Sequence, residues 1–130
     1  MDVLRKLDEA AAAVGRRIDL LVQVDVAGEA TKFGARTDEL TPLFSAAAAC
    51  GACRVVGLMI IPPAVEDPDA ARPYFRQLVQ IRAGLVARGV DPTMLHELSM
   101  GMSHDFEVAV EEGATMVRVG TAIFGSRTYV

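Results

Sequence analysis

Two stretches near the end of the chain, "LSMGMSHD" (98–105) and "RVGTAIFG" (118–125), repeat an order of strand-like residues, glycine and hydroxyl. Each leaves an apolar run, passes through glycine and enters what the pattern predicts to be a helical turn. Free backbone N–H groups at such turns, with Ser and Thr hydroxyls beside them, suit a phosphate. Arg118 opens the second stretch. Its guanidinium stays charged at any working pH and has no acceptor. One such loop is weak evidence; two on consecutive strands form a pattern.

Other reactive residue types are few. "CGAC" places Cys50 and Cys53 in a C-x-x-C, the spacing of redox and metal motifs. Redox pairs sit at a helix N-terminus, where the dipole lowers the thiol pKa. This pair follows a helix C-terminus, and no further Cys or His has zinc spacing. Two ordinary thiols and no metal site are expected. His96 and His104 are expected to be exposed helix-end or loop residues, with Asp105 serving the dipole of the helix that follows. "VEEGA" reads as a solvated helix end. No catalytic residue stands out.

These residues must be positioned by alternating helices and strands, because the hydrophobic period switches repeatedly between helical and strand values. Asp2 is placed to cap a helix bearing Val3, Leu4, Leu7, Ala11 and Val14, with Gly15 ending it. "DLLVQVDV" (19–26) predicts a strand. "TDELTPLFSAAAAC" predicts a helix with Thr37 or Thr41 as N-cap and Pro42 near its first turn. "RVVGLMII" (54–61) predicts a strand stopped by Pro62-Pro63. Residues 69–88 carry a helical stripe, Pro73 leaving its start open. "ELSM" predicts a strand, Ser103 the N-cap of a short helix, and "TMVRVG" a last strand. Helix-strand repeated with short connections argues for right-handed βα units and a parallel sheet, in one domain over residues 1–130.

Side chains alternate across a strand. Leu20, Val22, Val24 and Val26 then share a face, and Leu21, Gln23 and Asp25 the other. Glu97 pairs with Ser99, and Met116 and Arg118 with Gly120. With the apolar faces on helices, Gln23, Asp25, Glu97, Ser99 and Arg118 gather toward the carboxyl ends of the strands. That crowding fits the mouth of a β/α barrel better than a plain wet surface, and barrels often seat phosphate after their last two strands.

Composition removes other classes. The 130 residues are 52% hydrophobic with a net charge of −4, and no basic stripe offers itself to nucleic acid. No apolar run is long enough for a membrane span. The start "MDVLRKLDEA" mixes charges and lacks a signal-peptide core, so a cytoplasmic location is expected.

"GEATKFG", "GLMIIPP", "DPDAARPYFRQL" and "LSMGMSHDFEVAVEEGATMVRVGTAIFGSR" together resemble the pyridoxal-phosphate homeostasis protein family, whose fold is similar to the barrel domain of alanine racemase. The resemblance implies an α/β fold of parallel β/α units forming the C-terminal half, strands five to eight, of a TIM-type barrel. It implies pyridoxal 5'-phosphate as ligand, with Ser99, Gly120 and Thr121 at the phosphate, Arg118 facing the pyridine nitrogen and Met59 near the ring. A cation there disfavours ring protonation, which weakens the ring as an electron sink. That agrees with a non-catalytic carrier in cofactor homeostasis.

The family's Schiff-base lysine lies on the first barrel strand, which has no counterpart here. Lys6 and Lys32 are the only lysines; Lys6 falls in the first helix, and Lys32 matches the family's loop lysine in "GEATKFG". Binding is therefore expected to be non-covalent at best. Asp25 stands where the family often has Asn, an extra negative charge. Two alternatives remain: a racemase-like enzyme fragment, and a half-barrel interaction fragment that binds no cofactor. Open sheet edges imply self-association or pairing with a missing N-terminal half.

Overall fold

The computed structural model describes residues 2–28 and 34–128. Helices and strands alternate: α1 (Asp2–Ala13), β1 (Ile18–Gln23), α2 (Leu40–Ala48), β2 (Cys53–Met59), α3 (Arg72–Ala87), β3 (Glu97–Met102), α4 (Phe106–Glu111), β4 (Met116–Arg118) and α5 (Thr121–Phe124). The strands form one four-stranded sheet in the order β1-β2-β3-β4, and every pairing is parallel. This is the α/β architecture that the alternation predicts.

The sheet's helix-covered face follows the period-two pattern except in β2, where a register shift beside Leu20 and Leu21 puts Val55 and Leu58, three apart, on the buried side. Val22, Val24, Val55, Leu58, Ile60, Leu98 and Met100 are buried with Leu40 and Phe44 of α2 and Phe75, Leu78 and Leu85 of α3 in one core. Burying each large side chain contributes roughly 1.5–3 kcal/mol. In the other direction, Gln23, Met59, Ser99 and Met116 stand in register across the four strands.

Several boundaries differ from the sequence expectation. β1 ends at Gln23; beyond it the Val24 N–H still donates to the Met59 carbonyl at 2.9 Å, and Val24 forms an isolated bridge to Ala35. Neither Thr37 nor Thr41 caps α2: a 3-10 turn from Thr37 to Glu39 precedes it, and Glu39 Oε2 accepts the Arg36 N–H at 2.9 Å. α3 begins at Arg72 with Pro73 in its first turn, where no N–H is needed. The apolar residues of α1 fall into two stripes. Leu4 and Ala11 pack inward, whereas Val3 and Leu7, with Val14 just past the helix end, are exposed on a neighbouring stripe roughly 70° of arc away.

"VEEGA" is not simply a solvated end. Arg72 reaches Glu112 Oε1 at 2.8 Å and Glu111 Oε2 at 2.7 Å, and Arg76 adds a second cation to Glu112. These pairs tie α4 to α3 and hold the Glu112 carboxyl below the usual carboxylate range, Arg72 contributing most.

At the other end of the sheet, Asp8 of α1 accepts the N–H groups of Ala52 at 2.7 Å and Cys53 at 2.8 Å, with Gly51 at 3.3 Å. Bonds from Cys53 and Ala52 hold its carboxyl below the ordinary value. A depressed carboxylate stabilises the fold above its unfolded pKa, and that contribution is lost as pH falls through the folded value. Asp8→Ala is therefore expected to lower the urea midpoint at neutral pH. The gap to the native chain should close as pH falls below the ordinary carboxylate value, about 3.9, and through the lower folded one; a gap of constant size down to the acid end would assign the effect to packing.

Candidate functional site

Three strand-to-helix connections at the carboxyl ends of β2, β3 and β4 enclose a cleft of about 950 Å³. Its first wall is the segment 61–65, where Pro62-Pro63 stops β2. Its second wall is the turn 102–105, and its third runs from Arg118 to Arg127. The chain reaches the second wall through a kink. Gly101 has φ +100°, and a Cβ there would lie 2.6 Å from the Ala109 Cβ. A side chain would be strained and would push α4 away.

That kink breaks the alternation, so Met102 pairs with Arg118 after Ser99 has paired with Met116. Met102 is then followed by a reciprocal turn. Asp105 N–H donates to the Met102 carbonyl at 3.1 Å, while Met102 N–H donates to Asp105 Oδ1 at 2.8 Å. Ser103, at the tip, accepts from Gly120 N–H at 3.2 Å and from Ala122 N–H at 3.0 Å. It is not the N-cap of α4, a position Asp105 holds. Two of the backbone donors that the sequence leaves free are thus directed at one hydroxyl oxygen.

Arg118 crosses beneath the cleft. One Nη donates to the Ile60 carbonyl at 2.7 Å, while its buried Nε has no partner. Burial pushes its pKa down from the ordinary value and the Asp105 charge opposes this. The guanidinium remains charged at any working pH.

The cleft thus brings together Arg118, Gly120 and Thr121 of the expected residues, with Ser103, His104 and Asp105 beside them. Ser99 and Met59 do not line it. They are register partners one level deeper in the sheet, and Ser99 is only 3% exposed. The serine at the cleft is Ser103, beside Thr121. Its sequence signal is a Ser two residues beyond a post-strand glycine, but strict alternation points to Ser99 instead. His104 is exposed at the rim, and His96 is exposed at the far end of the sheet.

Asp25 Oδ1 accepts from Ala27 and Gly28 N–H at 3.1 and 3.0 Å, a local turn that keeps its carboxylate occupied. Lys6 lies on α1, paired with Asp2 at 3.2 Å; Lys32 lies outside the described residues. A second hollow, of about 600 Å³, lies at the amino ends of the strands, where Arg54 is already paired with Asp19. Cys50 and Cys53 are free thiols, pushed up from the ordinary value by burial and then by the Asp8 charge. Such thiols are poor nucleophiles. Among the described residues no cluster of His, Cys, Asp or Glu suits a metal ion, and no helix is long and apolar enough to cross a membrane.

A four-stranded parallel sheet with helices between its strands, carrying hydroxyls, backbone amides and a half-buried arginine at its carboxyl-end loops, is an architecture of the β/α class. The chain belongs to the alanine racemase N-terminal domain family, whose model matches residues 1–128. It is 50% identical over 111 residues to the pyridoxal phosphate homeostasis protein of Aquifex aeolicus, covering 85% of this chain and 48% of that protein. It is 37% identical over 129 residues to the protein of that name from Pseudomonas aeruginosa, covering 99% and 54%. The chain spans about half the length of these curated relatives.

Among solved structures it resembles PipY of Synechococcus elongatus without PLP (TM-score 0.85, 33% identity, 95% of this chain and 57% of that one). PipY with PLP bound superposes at a TM-score of 0.82, with 34% identity, over 93% and 55% of the two chains. Alanine racemase of Corynebacterium glutamicum shares the fold at a TM-score of 0.60 and 22% identity, over 86% of this chain and 30% of that one.

Proposed function

We propose that this chain binds pyridoxal 5'-phosphate non-covalently and serves its homeostasis without a catalytic step of its own. The observation that carries this reading is the pair of amides aimed at one oxygen, Ser103 Oγ, in the cleft that Arg118 floors. An acceptor held there marks a place for anionic oxygen, and the Ser103 hydrogen is left to donate outward. Arg118 lines the cleft as a half-buried cation, and a guanidinium, which only donates, suits the lone pair of a pyridine nitrogen. The names of the relatives and the PLP-bound PipY structure support the same ligand.

When bound, pyridoxal phosphate supplies an electron-accepting ring. The chain's own residues hold and restrain it. Ser103 and Thr121 hydrogen-bond the phosphate, the Gly120 backbone gives it room, and the Arg118 cation disfavours a proton on the ring nitrogen. Ser99 and Met59 support this surface from the deeper level of the sheet. The lysine pattern supports binding without covalent attachment.

Ser103→Ala and Thr121→Ala are each expected to weaken pyridoxal phosphate about tenfold or more, since a hydrogen bond to a charged group is worth roughly 1.5–3 kcal/mol. Pyridoxal, which has no phosphate, should be indifferent to both changes. Calorimetric titration of both ligands tests this. Equal losses would assign the residues to folding, and no binding by the native chain would favour an interaction fragment.

The family resemblance assigns the four strands to positions five to eight of a TIM-type barrel. Two unpaired edge strands are templates for further strands, and closure of a barrel removes such edges. The apolar side chains of both flanks support this reading: Val3 on α1 and Val14 just after it are 70% and 69% exposed, and Ile123 and Phe124 on α5 are 67% and 85% exposed. The chain self-associates, or pairs with a chain that supplies the other four strands. Sedimentation over a wide concentration range, with and without such a half in trans, is expected to show no stable monomer. A compact monomer at every dilution would refute it.

A further inference from the structure

Asp105 stands at the N-cap of α4, yet its side chain makes no capping bond to that helix. A cap aspartate ordinarily accepts from the second or third N–H of its own helix, a contact worth about 1 kcal/mol. Here the carboxylate turns back. Its Oδ1 takes the Met102 N–H at 2.8 Å, while its own N–H returns to the Met102 carbonyl at 3.1 Å. The two bonds clamp residues 102–105 into one rigid turn. Ser103, inside that turn, meets Gly120 and Ala122 across 17 and 19 residues of sequence.

Asp105 also lines the cleft that Arg118 lines. The two residues are linked through the strand pairing as well, because Met102, which Asp105 holds, is the register partner of Arg118. From this geometry we infer that Asp105 is a positioning residue for the ligand site: it forgoes capping α4 in order to hold the Ser103 hydroxyl against the glycine-threonine loop, with its charge facing the Arg118 side of the cleft. Nothing in this role requires Asp105 to touch the ligand. A carboxylate pointing at a phosphate would repel it, and its bond to Met102 keeps Oδ1 occupied.

The inference rests on the pyridoxal phosphate reading for its consequence, but its geometric core is measurable without ligand. Asp105→Ala removes the acceptor, whereas Asp105→Asn keeps an Oδ1 of the same reach. Amide hydrogen exchange on the whole chain is expected to show Gly120 and Ala122 losing about tenfold or more of their protection in Asp105→Ala. Asp105→Asn should restore it, and Leu58 in the middle of β2 should be unchanged in both. With ligand, Asp105→Ala should weaken pyridoxal phosphate about tenfold, leave pyridoxal untouched, and be rescued by Asp105→Asn.

Unchanged exchange at Gly120 and Ala122 in Asp105→Ala would overturn the inference. So would a loss shared equally by Leu58, which would make Asp105 a general stabiliser. A native chain that binds no pyridoxal phosphate would remove the functional reading alone, and the exchange result would still decide whether Asp105 holds Ser103 in place.

Discussion

Gly57→Ala is expected to lower stability by about 3 kcal/mol or more, the largest single-methyl effect in the chain. Gly57 pairs with Glu97 where β2 meets β3. A Cβ on Gly57 would fall on the Glu97 carbonyl oxygen and 2.6 Å from its carbonyl carbon. Both are backbone atoms of a central strand, so no side-chain rotation relieves the overlap and the two strands must part. In a chain of this size the melting temperature should fall by roughly 10 °C. Gly84 in α3 is the control, because a Cβ there meets nothing within 4 Å. Gly84→Ala should be neutral or stabilising by up to about 1 kcal/mol. A Gly57→Ala chain that melts with the native one would show that the strands separate without cost.

Arg118→Met should weaken pyridoxal phosphate and pyridoxal alike, by roughly 10- to 100-fold, the range of a hydrogen bond to a charged group. The shared loss distinguishes a ring contact from a phosphate contact, which would spare pyridoxal. The native guanidinium is anchored by the Ile60 carbonyl at 2.7 Å, leaving Nε inside the fold without a partner. Arg118→Lys keeps a charge but loses the planar fork that serves both directions at once, so it should recover only part of the affinity. The ring's absorption under pH titration gives a second readout. With Arg118 present the bound ring should resist protonation to lower pH than in Arg118→Met. Native affinity for both ligands in Arg118→Met would sink the assignment.

The local rules carried far in this chain. Alternation in "DLLVQVDV" places Val22 and Val24 on the buried face, and both are buried. The C-x-x-C reads as inert because it follows α2 rather than preceding a helix, and burial does raise both thiols. Where the reading fails, a long-range contact has overruled a local one. The sequence offers Val3, Leu4, Leu7, Ala11 and Val14 to one core, yet Leu4 packs on the main core and Ala11 on a separate cluster with Ala52 and Cys53, while Val3, Leu7 and Val14 stay exposed. Glu112 reads as solvated until α3 brings Arg72 and Arg76 to it.

The site shows the same division most sharply. The types of residue, the glycines after the strands and the strand face of Arg118 were all determined by sequence, because period and turn chemistry act over a few residues. Which hydroxyl reaches the cleft was decided only by tertiary structure. Alternation favours Ser99, but the positive φ of Gly101 turns the chain so that Ser99 is buried and Ser103 emerges. Ser103 finds its amides 17 and 19 residues away, and Arg118 finds its carbonyl 58 residues away. Those pairings exist because parallel strands bring the carboxyl-end loops of β2, β3 and β4 side by side. Sequence periodicity names each loop's contents, and only the register of the folded sheet sets which atoms meet.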